Sequence, residues 1–163
     1  MTDTAETRPE LTVAAVVERR GRFLVVEERV GGRLVLNQPA GHVEAGETLL
    51  AAVVREALEE TAWTFAPQAT VGIYLSHRTT SERRYLRVAF TGQVSRHDAS
   101  RRLDTGIERT LWLSRAELAA QPARLRSPMV LRAIDDYQRG MRYPLDLCQD
   151  LDADALALRA AQL

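Results

Sequence analysis

The sequence contains no lysine, and all 22 of its basic residues are arginine. That absence excludes a Schiff-base lysine and the lysine of a phosphate-cradling P-loop. Cys148 is the only cysteine, so no internal disulfide can form and nothing points to an oxidising compartment. Without a paired motif, Cys148 reads as structural. Charge of one sign is also missing in excess: 22 acidic residues balance the 22 basic ones. A neutral chain without a long run of one sign weighs against nucleic acid as a partner. No apolar run approaches the roughly 20 residues of a membrane helix. The polar opening "MTDTAETRPE" has no signal-peptide core, so the expected location is the cytoplasm, away from membranes.

What is present fits one globular domain over residues 1–163, with 45% hydrophobic and 27% charged residues. Residues 1–9 read as a flexible lead-in, and 151–163 as an Ala- and Leu-rich tail that can form a short helix. "LTVAAVV" and "RFLVVEE" are β-like runs around an "RRG" turn, and "RVGGRLVLN" adds a Gly-Gly turn and another strand. From Glu47 to about Thr61, apolar residues recur at helical spacing. Two further β-like runs cover Thr70–His77 and Tyr85–Val94. Ser114 and Ser127 are expected to cap two later helices, with Pro128 at a first helical position and Gly140 as a stop. Strands, helix, strands and helices in that order predict an α+β-like layered single domain.

The segment "GHVEAGETLLAAVVREALEETAW" carries the chemistry. On a helix, Glu56, Glu59 and Glu60 stand at i, i+3 and i+4, with Cβ atoms roughly 5–6 Å apart. Three carboxylates so close repel unless a cation compensates them. Oxygen-rich sites of this kind suit Mg²⁺, with Mn²⁺ and Ca²⁺ also compatible. Arg55 borders the acidic face and points back toward Glu47. The glycines of "PAGHVEAGE" let the backbone turn and offer a carbonyl, and the helix start offers free N–H groups to an anion. Taken alone, Glu59-Glu60 is ordinary for a solvated helix face. The full set of Gly41, Glu47, Arg55, Glu56, Glu59 and Glu60 at fixed spacing is not. With each residue type at about one in fifteen, it recurs by chance about once in ten million placements.

This spacing resembles the Nudix box, G-x5-E-x7-R-E-U-x-E-E-x-G-U, where U is aliphatic. Ala62 and Trp63 depart from its last two fixed positions, which concerns the turn after the helix and not the charged set. "NQPAGHVEAGET", "TVAAVVERRGRFLVVEE" and "LRSPMV…YQRGMRYPLDL" look like the NudJ-type phosphatase branch of the Nudix hydrolases, from about Leu11 to Asp150. The resemblance implies a Nudix fold, an α/β/α sandwich around a mixed β-sheet with a loop–helix–loop box. It implies Glu56, Glu59, Glu60 and the Gly41 carbonyl as metal ligands, with Glu56 also the general base. Arg55 and Glu47 would orient them, and Glu44 would assist. The implied cofactor is Mg²⁺, with Mn²⁺ as alternative. The implied substrates are nucleoside di- and triphosphates or hydroxymethylpyrimidine diphosphate.

Relatives of this kind often add a carboxylate from a loop before a Trp-bearing strand. In "RRLDTGIERTLW" Glu108 is the first candidate and Asp104 the second; either also fits a solvated loop charge. On the strand "RRYLRVAF", Tyr85 and Arg87 share a face suited to stacking a base and gripping phosphate. Gln38 in "NQPAG" is a candidate head-group contact. His42, His77 and His97 have no ligand spacing, Trp112 reads as core, and Tyr143 and Pro144 read as anchors of the C-terminal segment. The expected partner is a small phosphorylated molecule, on a monomer or homodimer. Hydrolysis of ADP-ribose or dinucleoside polyphosphates is the alternative within the enzyme class. A non-catalytic nucleotide-binding module is the alternative outside it, against which the intact glutamates weigh. An RNA-end hydrolase is a third, kept open by Arg78, Arg83, Arg84 and Arg87.

Overall fold

The run "LTVAAVV" is apolar throughout, as a strand covered on both faces must be. In the computed structural model, which describes residues 8–77, 83–149 and 151, it forms β1 (Glu10–Val16) inside a four-stranded mixed sheet. Strand β7 (Arg84–His97) lies parallel to it on one side, and β5 (Ala40–His42) lies antiparallel on the other. Strand β6 (Trp63–His77) pairs antiparallel with β7 at the edge. A second, antiparallel sheet centres on β3 (Arg22–Val30), between β4 (Arg33–Asn37) and β8 (Ile107–Ser114), with the short β2 (Glu18–Arg19) closing the "RRG" hairpin.

Alternate residues of these strands feed two cores. Val13, Ala15, Leu24 and Val88 pack toward α1 (Leu49–Thr61), which buries Leu49, Ala52, Val53 and Ala57. Ala14, Val16, Phe23 and Val25 pack toward α2 (Arg115–Ala119) and α3 (Met129–Gln138), which contribute Leu118, Ala133 and Ile134. Helices thus cover both faces of the strand layer, the expected α/β/α arrangement with a mixed sheet, joined here by the second sheet. Each fully buried Leu, Ile or Phe contributes about 1.5–3 kcal/mol, so burial of this stripe fixes the rotation of α1. That rotation turns Glu56 and Glu60 inward, along the edge of the apolar stripe.

Some boundaries differ from the sequence expectations. Helix α1 starts at Leu49, not Glu47, because the Thr48 side chain accepts a hydrogen bond from the Ala51 N–H. Strand β6 begins at Trp63 and passes through Pro67, which an edge strand tolerates at its register shifts. Gly92 opposite allows the approach: a Cβ there would lie 2.0 Å from the Ala66 carbonyl oxygen. Strand β7 continues to His97. Ala62 keeps the left-handed conformation, φ 58°, that the box glycine would take, so the turn survives the substitution.

Ser114 caps α2 as expected, in a capping box with Glu117. Ser127 does not cap α3: Pro128 occupies the capping position, without a side-chain hydrogen bond. Tyr143 is paired through its backbone with Thr70, at 2.8 and 2.9 Å, and the Arg19 guanidinium lies 4.9 and 5.0 Å from the ring centroids of Trp63 and Trp112, which meet edge to face. Cys148 is exposed. Arg78 lies outside the described residues, as do most of the lead-in and tail.

Candidate active site

Box residues and strand residues meet in one cavity of about 580 Å³, within the usual range for a small-molecule site. Its acidic wall holds Glu44, Glu56, Glu59, Glu60 and Asp104, with the Gly41 backbone between them. Its opposite wall holds Tyr85 and Arg87 from β7, with Asn37, Arg126 and Ser127.

Arg55 organises the acidic wall. Its Nε and Nη2 donate to Glu47 Oε1 and Oε2 at 2.8 and 2.9 Å, a bidentate fork. Its Nη1 donates to Glu56 Oε1 at 2.8 Å and to Glu59 Oε2 at 3.0 Å, and Nη2 also reaches the His42 carbonyl. The fork with Glu47, together with Glu56 and Glu59, holds the Arg55 guanidinium even further toward its charged form than usual. The same bond from Arg55 holds the Glu47 carboxyl below the usual carboxylate range. Glu47 also accepts from the Glu44 N–H, which ties the loop to the helix.

Glu56 and Glu60, one turn apart, are 8% and 9% exposed. Burial raises the Glu56 pKa, with Glu59 and Asp104 adding to the effect, against the opposing pull of Arg55. Burial pushes Glu60 up to about 9, although its Oε2 accepts the Ala40 N–H at 2.8 Å; Glu56, Glu28 and Asp104 add to the rise. Gly41 packs directly on this group: a Cβ there would lie 2.0 Å from Glu56 Oε1. Only a bare backbone fits, and it leaves the Gly41 peptide beside the carboxylates.

Among the described residues, no three His, Cys, Asp or Glu side chains already converge on one point as metal ligands, since two of the carboxylates turn to Arg55. The donor chemistry nonetheless fits a hard divalent cation. Oxygen ligands crowd together, and one buried carboxylate is ionised only at a cost that a cation would remove.

The remaining candidates separate. Tyr85 and Arg87 both line the cavity, and Arg87 is only 7% exposed. Burial pulls the Arg87 pKa down to about 10. Gln38 does not line it: the side chain is buried, and Nε2 donates to the Val130 carbonyl at 2.7 Å, tying β4 to α3. Glu108 does not line it either, because Arg29 holds its carboxylate at 2.9 Å on the outer side of β8. Asp104 takes that place, its N–H bonded to the Glu59 carbonyl at the end of α1.

Asn37, Glu28, Arg126 and Ser127 were not anticipated. They arrive from β3, β4 and the loop before α3, brought together only by tertiary packing. The sole local signal was "RSP" before a helix, which reads equally well as a cap.

A sequence profile of the NUDIX domain matches residues 8–133. The phosphatase NudJ of Escherichia coli K12 is 39% identical over 145 residues, covering 89% of this chain and 94% of that protein. Among solved structures, a NUDIX hydrolase from Nitrosomonas europaea is 46% identical, with a TM-score of 0.86, covering 90% of this chain and 99% of that one. A MutT NUDIX hydrolase from Burkholderia pseudomallei, at 19% identity and a TM-score of 0.68, shares the fold. With the profile spanning most of the chain and a NudJ phosphatase matching it nearly end to end, the chain belongs to the Nudix hydrolase family, enzymes acting on phosphoanhydride-containing substrates.

Proposed function

We propose that this hydrolase is a Mg²⁺-dependent, NudJ-like phosphatase of small diphosphates, acting on nucleoside di- and triphosphates or hydroxymethylpyrimidine diphosphate. Mn²⁺ is the alternative ion. The observation that carries the reading is the opposition, across one cavity, of an acidic wall organised by Arg55 and a wall bearing the buried Arg87. Glu56, Glu59, Glu60 and the Gly41 carbonyl would hold the divalent ion. When bound, that ion neutralises the diphosphate oxygens and activates water for attack.

The chain's own groups do the rest. Burial raises the proton affinity of Glu56, which fits a base accepting the proton of the attacking water. The Arg55–Glu47 fork keeps Glu56 and Glu59 aimed at the cavity. Arg87 and Tyr85 grip and orient the substrate from the far wall, and Asp104 and Glu44 stand beside the reaction centre. The water oxygen bonds to the terminal phosphorus and the bridging P–O bond breaks, so orthophosphate departs and leaves a phosphomonoester from a diphosphate, or a diphosphate from a triphosphate.

The test is Mg²⁺-dependent hydrolysis of nucleoside di- and triphosphates, hydroxymethylpyrimidine diphosphate, ADP-ribose and a dinucleoside polyphosphate, with orthophosphate and pyrophosphate resolved. Orthophosphate from the simple diphosphates supports the reading. Cleavage confined to ADP-ribose or dinucleotides replaces the substrate class. Tight binding without turnover makes the chain a nucleotide-binding module.

A further inference from the structure

The wall opposite the carboxylates contains buried donors that the fold leaves unsatisfied. Arg87 donates Nη1 to Asn37 Oδ1 at a long 3.3 Å, and its Nε has no partner among the described residues. Ser127 Oγ, in the same wall, is buried and equally unpartnered. A buried donor without an acceptor destabilises a fold, so such atoms persist where a ligand completes them. The two residues that carry these atoms line one cavity, and both atoms can donate. The group that completes them is therefore an acceptor.

Charge gives its sign. Arg87 and Arg126 line the cavity here, with Glu28, whose Oε1 is a loose 3.5 Å from Arg126 Nε, as the neighbouring carboxylate and Glu60 within electrostatic reach of Arg87. The other end carries a large negative excess. Helix α3 opens at the same wall, with Met129 lining the cavity, Pro128 in the capping position and no side chain closing the first turn. An uncapped helix start favours negative charge.

We propose that Arg87, Arg126, Ser127 and the open first turn of α3 form a second anion subsite, which holds the phosphoryl group that stays on the organic product while the carboxylate end handles the one released. The proposal rests on the phosphatase reading and narrows it. The preferred substrates are diphosphate esters that present two phosphoryl groups to the two ends of the cavity. The phosphomonoester product keeps the group this subsite holds, so it competes with substrate.

The test separates the two readings because it needs no turnover. The full-length ¹⁵N-labelled protein is titrated with inorganic phosphate in EDTA, where the acidic wall repels anions and only the basic wall attracts them. Saturable shifts at Arg126–Leu131 are expected. Arg126→Gln is expected to weaken binding about tenfold and Ser127→Ala severalfold, losses typical of charge-assisted contacts. Glu60→Gln is expected not to weaken it. Backbone spectra matching the wild type establish that each variant is folded. Kinetically, Ser127→Ala raises KM for a diphosphate and leaves kcat within about twofold, the signature of uniform binding. No saturable phosphate binding, undiminished binding in both Arg126→Gln and Ser127→Ala, or shifts centred on Gly41–Glu44 would each overturn the subsite. Phosphate binding as expected in a protein that hydrolyses no diphosphate would keep the subsite and remove the enzymatic reading.

Discussion

Arg55 and Glu47 meet fork to fork, Nε to Oε1 at 2.8 Å and Nη2 to Oε2 at 2.9 Å, and the remaining amino group of the guanidinium holds Glu56 and Glu59. One planar cation thus sets the positions of three carboxylates. Lysine at this position has one compact ammonium and cannot make the fork while reaching both other partners. Arg55→Lys is therefore expected to lower kcat/KM by about 10–100-fold, as loss of a ligand-orienting partner does, while leaving the chain folded. Steady-state kinetics beside a thermal melt check this. An unaltered kcat/KM would mean that the carboxylates orient themselves.

Gly41 and Glu56 make a sharper test of geometry. The Gly41 backbone dihedrals are ordinary, so glycine is needed for space: a methyl would lie 2.0 Å from Glu56 Oε1. What it meets is the far end of a side chain, which can swing aside at the expense of its Arg55 hydrogen bond. Gly41→Ala should then cost little stability and move the Glu56 carboxylate. The expected result is a melting temperature within a few degrees of wild type and a fall in kcat of roughly 10²-fold, as for loss of a positioned electrostatic group. A large loss of stability with activity retained per folded molecule would contradict that division.

Glu60 is buried among other carboxylates, with one backbone N–H to satisfy it. A bound divalent cation would turn this liability into binding energy, and a ligand that binds only the folded state raises its stability. Mg²⁺ should raise the melting temperature of the wild type, and EDTA should reverse the gain. Glu60→Gln keeps the shape and removes the capacity to ionise around a cation. It is expected to lose most of the Mg²⁺ shift and at least about a hundredfold in turnover. Near-normal turnover in this variant would remove Glu60 from the metal site.

The acidic half of the site was legible in the sequence because it is local. A helix converts the spacing of Arg55, Glu56, Glu59 and Glu60 into a shared face, and the glycine at 41 marks the loop that meets it. The alternation of Tyr85 and Arg87 on a strand was legible for the same reason. The two candidates that the structure moves, Gln38 and Glu108, depended on non-local facts. Gln38 turns inward because Val130, on a helix 92 residues later, offers its carbonyl. Glu108 is held by Arg29 from the neighbouring strand, and Asp104 reaches the cavity because its N–H docks on Glu59. Ser127 satisfied every local rule for a cap, and only the packing of α3 reveals that its hydroxyl is unpaired.

Away from the cavity, Glu27 gives a prediction about acid stability. Its side chain is 5% exposed and accepts hydrogen bonds from Arg109, at 2.8 Å, and from Arg124. The Arg109 bond lowers its pKa below the ordinary 4.5, burial opposes that, and Arg124 adds to the lowering. A carboxyl whose folded pKa is depressed binds fewer protons folded than unfolded near pH 4. It therefore contributes stability above its unfolded pKa, and that contribution is lost as pH falls through the folded value. Glu27→Gln should lower the urea midpoint clearly at pH 7, where it removes a buried charge from two cations. The gap between the variant and wild type should narrow steadily below about pH 4.5, the ordinary value of the free carboxyl. Paired urea titrations at pH 7, 5, 4 and 3 measure it. A gap that stays constant across that range would mean that the loss comes from packing and not from the ion pairs linking β3, β8 and the short 3-10 helix Pro122–Arg124.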